Sequence, residues 1–257
     1  MNRTNNFISF ATIVRKEIIR FTRIWMQTLL PSSITMSLYF VIFGAFIGSR
    51  IGNLNGVPYM QFIVPGLVMM AVITNSYSNV VSSFFGAKFQ RSVEELLVSP
   101  TPNWVIILGH VVGGVARGLL VGIIVLIVSL LFTKIVIHSI AAIFLFILLT
   151  SIVFSLAGFM NAVFAKKFDD VSIVPTFVLT PLIYLGGVFY SISVLPEFWQ
   201  TVSRFNPILY MVNGFRYGFL GMSDTNVYFA FAMLVVFTAV LFSANLYLLK
   251  KGVGLKH

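Results

Sequence analysis

The sequence predicts an all-α membrane protein with six transmembrane helices, on three observations. Hydrophobic residues make up 58% of the 257-residue chain and charged residues only 9%, at a mean hydropathy of +0.98, which is too little charge to cover a water-soluble domain. The apolar residues fall into long runs, on the scale of the about 20 residues that cross a bilayer as a helix. The basic residues sit at the ends of those runs rather than in one patch, so the net charge of +10 reads as membrane orientation and not as nucleic-acid binding. No linker or charge block divides the chain, and one membrane domain over 1–257 is expected.

Residues 5–23 carry Phe7, Phe10, Ala11, Val14, Ile18 and Phe21 at helical spacing, with Arg15, Lys16, Arg20 and Arg23 mostly elsewhere. That pattern predicts a basic amphipathic helix in the headgroup plane. The stretch lacks the early apolar core and small-residue cleavage site of a removable signal peptide. Span one is expected at 25–47, with Trp25 at the interface and Pro31 in the first turns, where proline is tolerated. A turn-rich loop, 48–58, leads to span two, 59–85.

Gly86–Pro100 is the longest strongly polar run between two apolar segments and predicts a short helix on the water side. Ser92 and Glu95 have the spacing of a capping box, in which each side chain satisfies a backbone donor. Val93, Leu96 and Leu97 make one narrow apolar face, and Ser99-Pro100 ends the helix because proline has no donor. Such a helix fits docking to a soluble partner as well as it fits an ordinary interfacial loop.

Span three is expected at 104–132 and span four at 140–164, with Lys134 and His138 in the tight loop between them. A small polar loop, 165–170, carries Lys166, Lys167, Asp169 and Asp170; the two acids suit the start of the next helix. No further acid or histidine lies near them, so no metal site is expected. Span five, 171–189, is short and interrupted by Pro175 and Pro181, with Gly186-Gly187 near its end. Residues 190–222 predict two short helices too brief to span. Pro196 opens the first, with Phe198, Trp199, Val202 and Phe205 on its apolar side, and Asn206-Pro207 caps the second, which Gly221 ends. Both are expected to dip into the outer leaflet, with Arg204 and Arg216 at its interface. Span six, 227–249, precedes a basic tail.

Twelve basic residues fall on one side of this arrangement and four on the other, with Arg117 inside span three. The positive-inside bias then places both termini and the Gly86–Pro100 helix in the cytoplasm. Polar residues within the spans need partners in hydrocarbon. Asn75, Asn79 and Ser82 or Ser83 share a face of span two, which fits interhelical bonding or the wall of a substrate path. Gly114, Gly118 and Gly122, at four-residue steps, let a second helix approach closely, from this chain or another copy. Span three, at about 43 Å against about 30 Å of hydrocarbon, is long enough for Arg117 to snorkel toward the cytoplasmic interface, or else to hold an anionic group.

Three stretches then carry a resemblance. NPILYMVNGFRYGFLG at 206–221, EELLVSP at 94–100 and KFDDVSIVPTFVLTPLIYLGGVFY at 167–190 resemble ABC-2 type transporter permeases, in the YadH-like bacterial inner-membrane branch. The resemblance implies a six-span transmembrane subunit that pairs with a second copy and exports its substrate. It implies a separate cytoplasmic ABC ATPase holding ATP and Mg, with no cofactor in this chain. The chain agrees in having no GxxxxGK[ST] loop. Carried over, Ser92, Val93, Glu94, Glu95, Leu96 and Leu97 form the coupling helix, and Lys166, Lys167, Asp169, Asp170 and the N-terminal helix are secondary contacts. The outer gate falls to the pair of short helices, with Asn206, Pro207, Phe215 and Arg216. The cargo is left as a drug, a lipid or a lipid-linked glycan. An ion-driven carrier would want acids in mid-span, and none is seen there. An enzyme would want clustered chemistry, yet His110, His138 and His257 are isolated and there is no cysteine. A non-transporting membrane scaffold is the remaining alternative.

Overall fold

In the computed structural model, residues 3–54 and 56–254 are described. Lys256 and His257 of the basic tail lie outside them. The chain opens with helix α1 (Arg3–Arg23). A first crossing follows as α2 (Trp25–Thr28), α3 (Leu30–Tyr39), a π-helical stretch Phe40–Ile47 and α4 (Gly48–Ile51). Pro31 sits in the first turn of α3, as expected. The loop predicted at 48–58 is shorter, because the helix runs on to Ile51 and a hairpin of β1 (Asn53–Leu54) and β2 (Val57–Pro58) completes the turn.

The core is built on α5 (Tyr59–Phe89), which lies between α7 (Asn103–Ser129) and α8 (Ile140–Phe164). Helix α6 (Ser92–Val98) lies beneath its far end. The last long helix, α13 (Val227–Lys251), packs on α8, on the Pro207–Leu220 helix and on α7, and most of its remaining surface is exposed. Among the described residues, five helical segments are long and apolar enough to cross a membrane: 25–44, α5, α7, α8 and α13.

Predicted span five is the exception. From Phe168 the chain runs as α9 (Phe168–Ile173), a π-helical stretch Val174–Leu179 and α10 (Thr180–Tyr184). It then turns at Gly187, whose φ of +71° suits glycine. Pro175 and Pro181 each remove a backbone donor, and the Thr180 hydroxyl donates to the Pro175 carbonyl at 2.9 Å. The segment is thus shorter than the expected 171–189: Val188 and Phe189 already lie past the turn, buried against the bundle. The two short helices beyond it are as predicted: α11 (Glu197–Arg204) and α12 (Pro207–Leu220). Asn206 caps α12, accepting from the Ile208 amide at 3.0 Å, and Gly221 ends it at φ +70°.

The glycines of α7 face this chain's own helices. A Cβ at Gly114 would lie 2.5 Å from Val80 Cγ2, and one at Gly118 would lie 3.2 Å from Ser76 Cβ and 3.3 Å from the Val72 carbonyl. The three-glycine register therefore seats α7 on α5, which decides the choice left open between this chain and another copy. Gly118→Leu is expected to destabilise the bundle by about 1–3 kcal/mol through overpacking, read as a lower thermal midpoint in detergent. Gly113 and Gly109 turn the other way and receive α1.

Candidate functional site

Helix α1 presents two faces. Phe7, Ala11 and Ile18 of the predicted apolar stripe are exposed, and Phe10 and Val14 are half-buried. The adjoining face, with Ile13, Glu17 and Phe21, is buried against the bundle, so Phe21 of the predicted stripe points inward. Ile13 sits on Gly109 and Glu17 on Gly113, where an added Cβ would lie 2.9 Å from Glu17 Cγ. Removal of two side chains from α7 is what lets α1 lie this close.

Glu17 is fully buried, and it gathers a polar cluster. It accepts a hydrogen bond from the Ser83 hydroxyl and pairs with Arg20 Nη2 at 3.2 Å. Arg20 also donates to the side-chain and backbone oxygens of Asn79, at 2.8 and 2.9 Å. His110 Nε2 stands 3.9 Å from Glu17, and its Nδ1 is 2.8 Å from the Ile106 carbonyl. The His110 ring packs edge-on against the Phe84 and Phe159 pair. Further along, Arg117 donates to the Thr28 carbonyl at 3.2 Å and to Asn75 Oδ1 at 3.1 Å, while Asn75 Nδ2 donates to Ser32 at 3.0 Å. Arg117 therefore reaches the first crossing at Thr28 and α5 at Asn75. Asn75 and Asn79 are buried in this seam and Arg117 is half-buried, whereas Ser82 is exposed and bonds the Asn79 carbonyl at 3.1 Å.

The sequence reading missed Glu17 and Ser32. The signal was present: Ile13, Glu17, Arg20 and Phe21 share a face at helical spacing, which adjoins the more apolar stripe and has Phe21 in common with it.

The polar run after α5 differs in detail from expectation. Residues Gly86–Phe89 continue α5, so the short helix is Ser92–Val98 rather than 86–100. The capping box is absent. Ser92 is already inside the helix and its hydroxyl donates back to the Ala87 carbonyl at 3.1 Å, while the cap position is Arg91, at φ 60°. Because α5 runs one turn further than predicted, the reversal falls on Arg91. Val93 is buried and Leu96 and Leu97 pack on the core, so the apolar face anchors α6 to the bundle. Glu94, Glu95 and Val98 face outward. Lys88, just before the reversal, donates to the Val163 and Ala165 carbonyls at 2.7 Å each, closing the end of α8.

Beside it, Asp170 Oδ2 accepts from the Lys166 and Lys167 amides at 2.8 and 3.0 Å, which caps α9. Those amides hold its carboxyl below the ordinary value. Asp169, Lys166 and Lys167 are exposed.

On the opposite end, Arg216 corrects the reading of an interfacial cation. It is 1% exposed, with its guanidinium 3.8 Å from the Phe62 ring centroid and Nη2 donating to the Gly187 carbonyl at 2.6 Å. Phe215 is buried too, while Asn206 Nδ2 ties α12 to the Leu182 carbonyl at 2.5 Å. Phe198, Trp199 and Phe205 of the neighbouring short helix are exposed.

Ser172, Thr176, Thr180 and Tyr184 recur at four-residue steps along α9–α10 and are all exposed. The Tyr184 hydroxyl lies 3.2 Å from that of Tyr39 on α3. The surface between the first crossing and the broken segment thus carries a line of hydroxyls among aromatic rings, with Phe43 and Phe189 stacked at 4.4 Å.

Such a bundle of apolar helices, with a short acidic helix fixed beneath its central member, has the build of a membrane transporter subunit. The ABC-2 type transporter family matches residues 8–220, and the chain belongs to that family. It is 59% identical over 250 residues to the Inner membrane transport permease YadH of Escherichia coli (strain K12), covering 97% of this chain and 98% of that one. It is 22% identical over 247 residues, 95% of each chain, to Nodulation protein J of Rhizobium leguminosarum bv. viciae.

Proposed function

We propose that this chain is the inner-membrane permease subunit of an ATP-driven exporter. Two copies form the pathway, and a separate cytoplasmic ABC ATPase drives each. The substrate is hydrophobic or amphipathic and moves out of the cytoplasm. The observation that carries this reading is α6: its apolar face is locked to the end of the central helix α5, and its two carboxylates are left free. A push on Glu94 and Glu95 from below would be passed to α5 as a rigid body rather than absorbed in a loop. Family membership supports the ATPase partner, and the name of the Escherichia coli relative supports inner-membrane transport. Both termini and α6 are placed in the cytoplasm by the basic-residue bias.

The polar seam is assigned to holding helices together, because Asn75 Oδ1 accepts from Arg117 and Asn79 Oδ1 accepts from Arg20 across helix contacts. The wall of the pathway is assigned to the exposed hydroxyl line from Ser172 to Tyr184, facing a second copy. An ion-driven carrier is disfavoured because Glu17, the buried carboxylate among the described residues, is already engaged by Arg20 and Ser83.

The test is reconstitution in proteoliposomes with and without the cognate ATPase, together with the pair Glu94→Lys and Glu95→Lys. Transport is expected only with the ATPase and ATP. The double variant is expected to insert normally and lose ATPase co-purification. Transport without the ATPase, or undiminished co-purification, would refute the proposal.

A further inference from the structure

Where α5 and α8 end, a cavity of about 370 Å³ opens, lined by Phe85, Lys88, Phe89, Arg91 and Lys166. Three cations share it, and none of them forms an ion pair among the described residues. Lys88 is nearly buried at its base. Two of the three ammonium donors are spent on the Val163 and Ala165 carbonyls, which leaves one. Asp170 is the nearby carboxylate, and its Oδ2 is engaged by the Lys166 and Lys167 amides. Arg91 is the sole non-glycine residue at positive φ among the described residues, a backbone state that a side chain normally avoids. Beside the cations stand three packed rings. Phe168 lies 5.1 Å from Phe85 and 4.8 Å from Phe89, and Phe89 and Phe168 are each 61% exposed.

Compact positive charge at the foot of two apolar helices, bordered by exposed aromatic surface, matches a molecule with an anionic head and hydrocarbon tails. We propose that this cavity binds one anionic phospholipid, its phosphodiester held by Lys88, Arg91 and Lys166 and its acyl chains lying on Phe89 and Phe168. Basic pockets between helices at the water boundary recognise such headgroups. An acidic protein segment would use the cations but would leave the rings without hydrocarbon to cover them. The site joins the cap of α6 to the end of α8, so an occupant would brace the short acidic helix against the bundle. The site goes beyond the exporter reading and does not depend on it, since it requires only a bilayer.

The experiment is native mass spectrometry of the full chain without the ATPase, released from detergent with phosphatidylglycerol or phosphatidylcholine. Wild type is expected to retain one phosphatidylglycerol and no phosphatidylcholine. The pair Arg91→Gly and Lys166→Gln is expected to weaken that retention about thirtyfold, about fivefold for each cation removed. Glycine relieves the strained backbone at 91, so this loss is not a folding defect. The pair Lys250→Gln and Lys251→Gln, with the same charge loss at the end of α13, is expected to bind as wild type. Equal retention of the two lipids would overturn the site, as would equal loss in both variants, or inorganic phosphate binding as tightly as lipid. Unchanged lipid retention in the Arg91/Lys166 pair, with loss of ATPase co-purification, would assign the patch to the protein partner and overturn it as well.

Discussion

Replacing Glu17 with alanine is expected to destabilise the protein by about 2–3 kcal/mol, less than the about 3–5 kcal/mol of a fully buried pair because Arg20, the charge left behind, is 28% exposed. The reason lies in what would be left behind. Arg20 would keep its bonds to Asn79 but lose its counter-charge, and the Ser83 hydroxyl would face an empty space. Ile13 and Phe21 alone would then hold α1 to the glycine face of α7. The effect should show as a lower thermal midpoint and as new protease cleavage near Ile24, where α1 meets α2. The combined change Glu17→Met and Arg20→Leu should recover much of the loss, because an apolar contact of similar volume often replaces a buried ion pair without cost. A single alanine variant that melts like wild type would show that α1 is held by packing alone.

The elements that periodicity governs were legible. The long apolar helices, the helix after span two, the Asn206 cap and the Gly221 stop all follow from spacing and from the residues that start and end helices. Two kinds of feature were not. The first is the direction of faces on α1, where two stripes compete. Exposed Phe7, Ala11 and Ile18 look like a core face by hydrophobicity, and only the bilayer explains why they point outward while Glu17 points in. The second is where helices end next to polar residues. The capping signal at Ser92 and Glu95 was sound in composition, but α5 continued to Phe89 because Lys88 is tied to the end of α8, and this moved the reversal to Arg91. The glycine register of α7 was read correctly as a close approach. Its partner needed coordinates, since spacing says how near a helix can come and not which helix arrives. Arg117 and Arg216 share a single lesson. A lone arginine in an apolar run has enough reach and enough donors to find carbonyls and rings inside the bundle, so its place in the sequence does not fix its depth.

Arg216→Ala is expected to lower stability by about 4 kcal/mol, and more of that loss comes from geometry than from charge. The guanidinium is held by a ring face, by the Gly187 carbonyl and, at 3.4 Å, by Asn213 Oδ1. Each contact comes from a different part of the end of the bundle away from α6: Phe62 on α5, Gly187 at the turn after α10, and Asn213 on α12 itself. A desolvated cation over an aromatic ring is worth about 2 kcal/mol, a hydrogen bond to a charged group about 1.5–3 kcal/mol, and the cavity left by alanine adds to both. Arg216→Lys keeps the charge but loses the planar fork that stacks and donates at once, so it should give back less than half of the loss. The chain continues from this point to Asp224, whose amide donates to Asn213 at 3.2 Å and whose carboxylate accepts from the Ser191 hydroxyl at 2.9 Å. The turn at Gly187 is therefore tied to α12 from two sides. Loss of Arg216 should loosen residues 185–206 first, and hydrogen exchange would detect faster exchange there than in α7. If instead protection fell evenly across all helices, Arg216 would be a general packing residue and not the tie between the broken segment and the short helices that follow it.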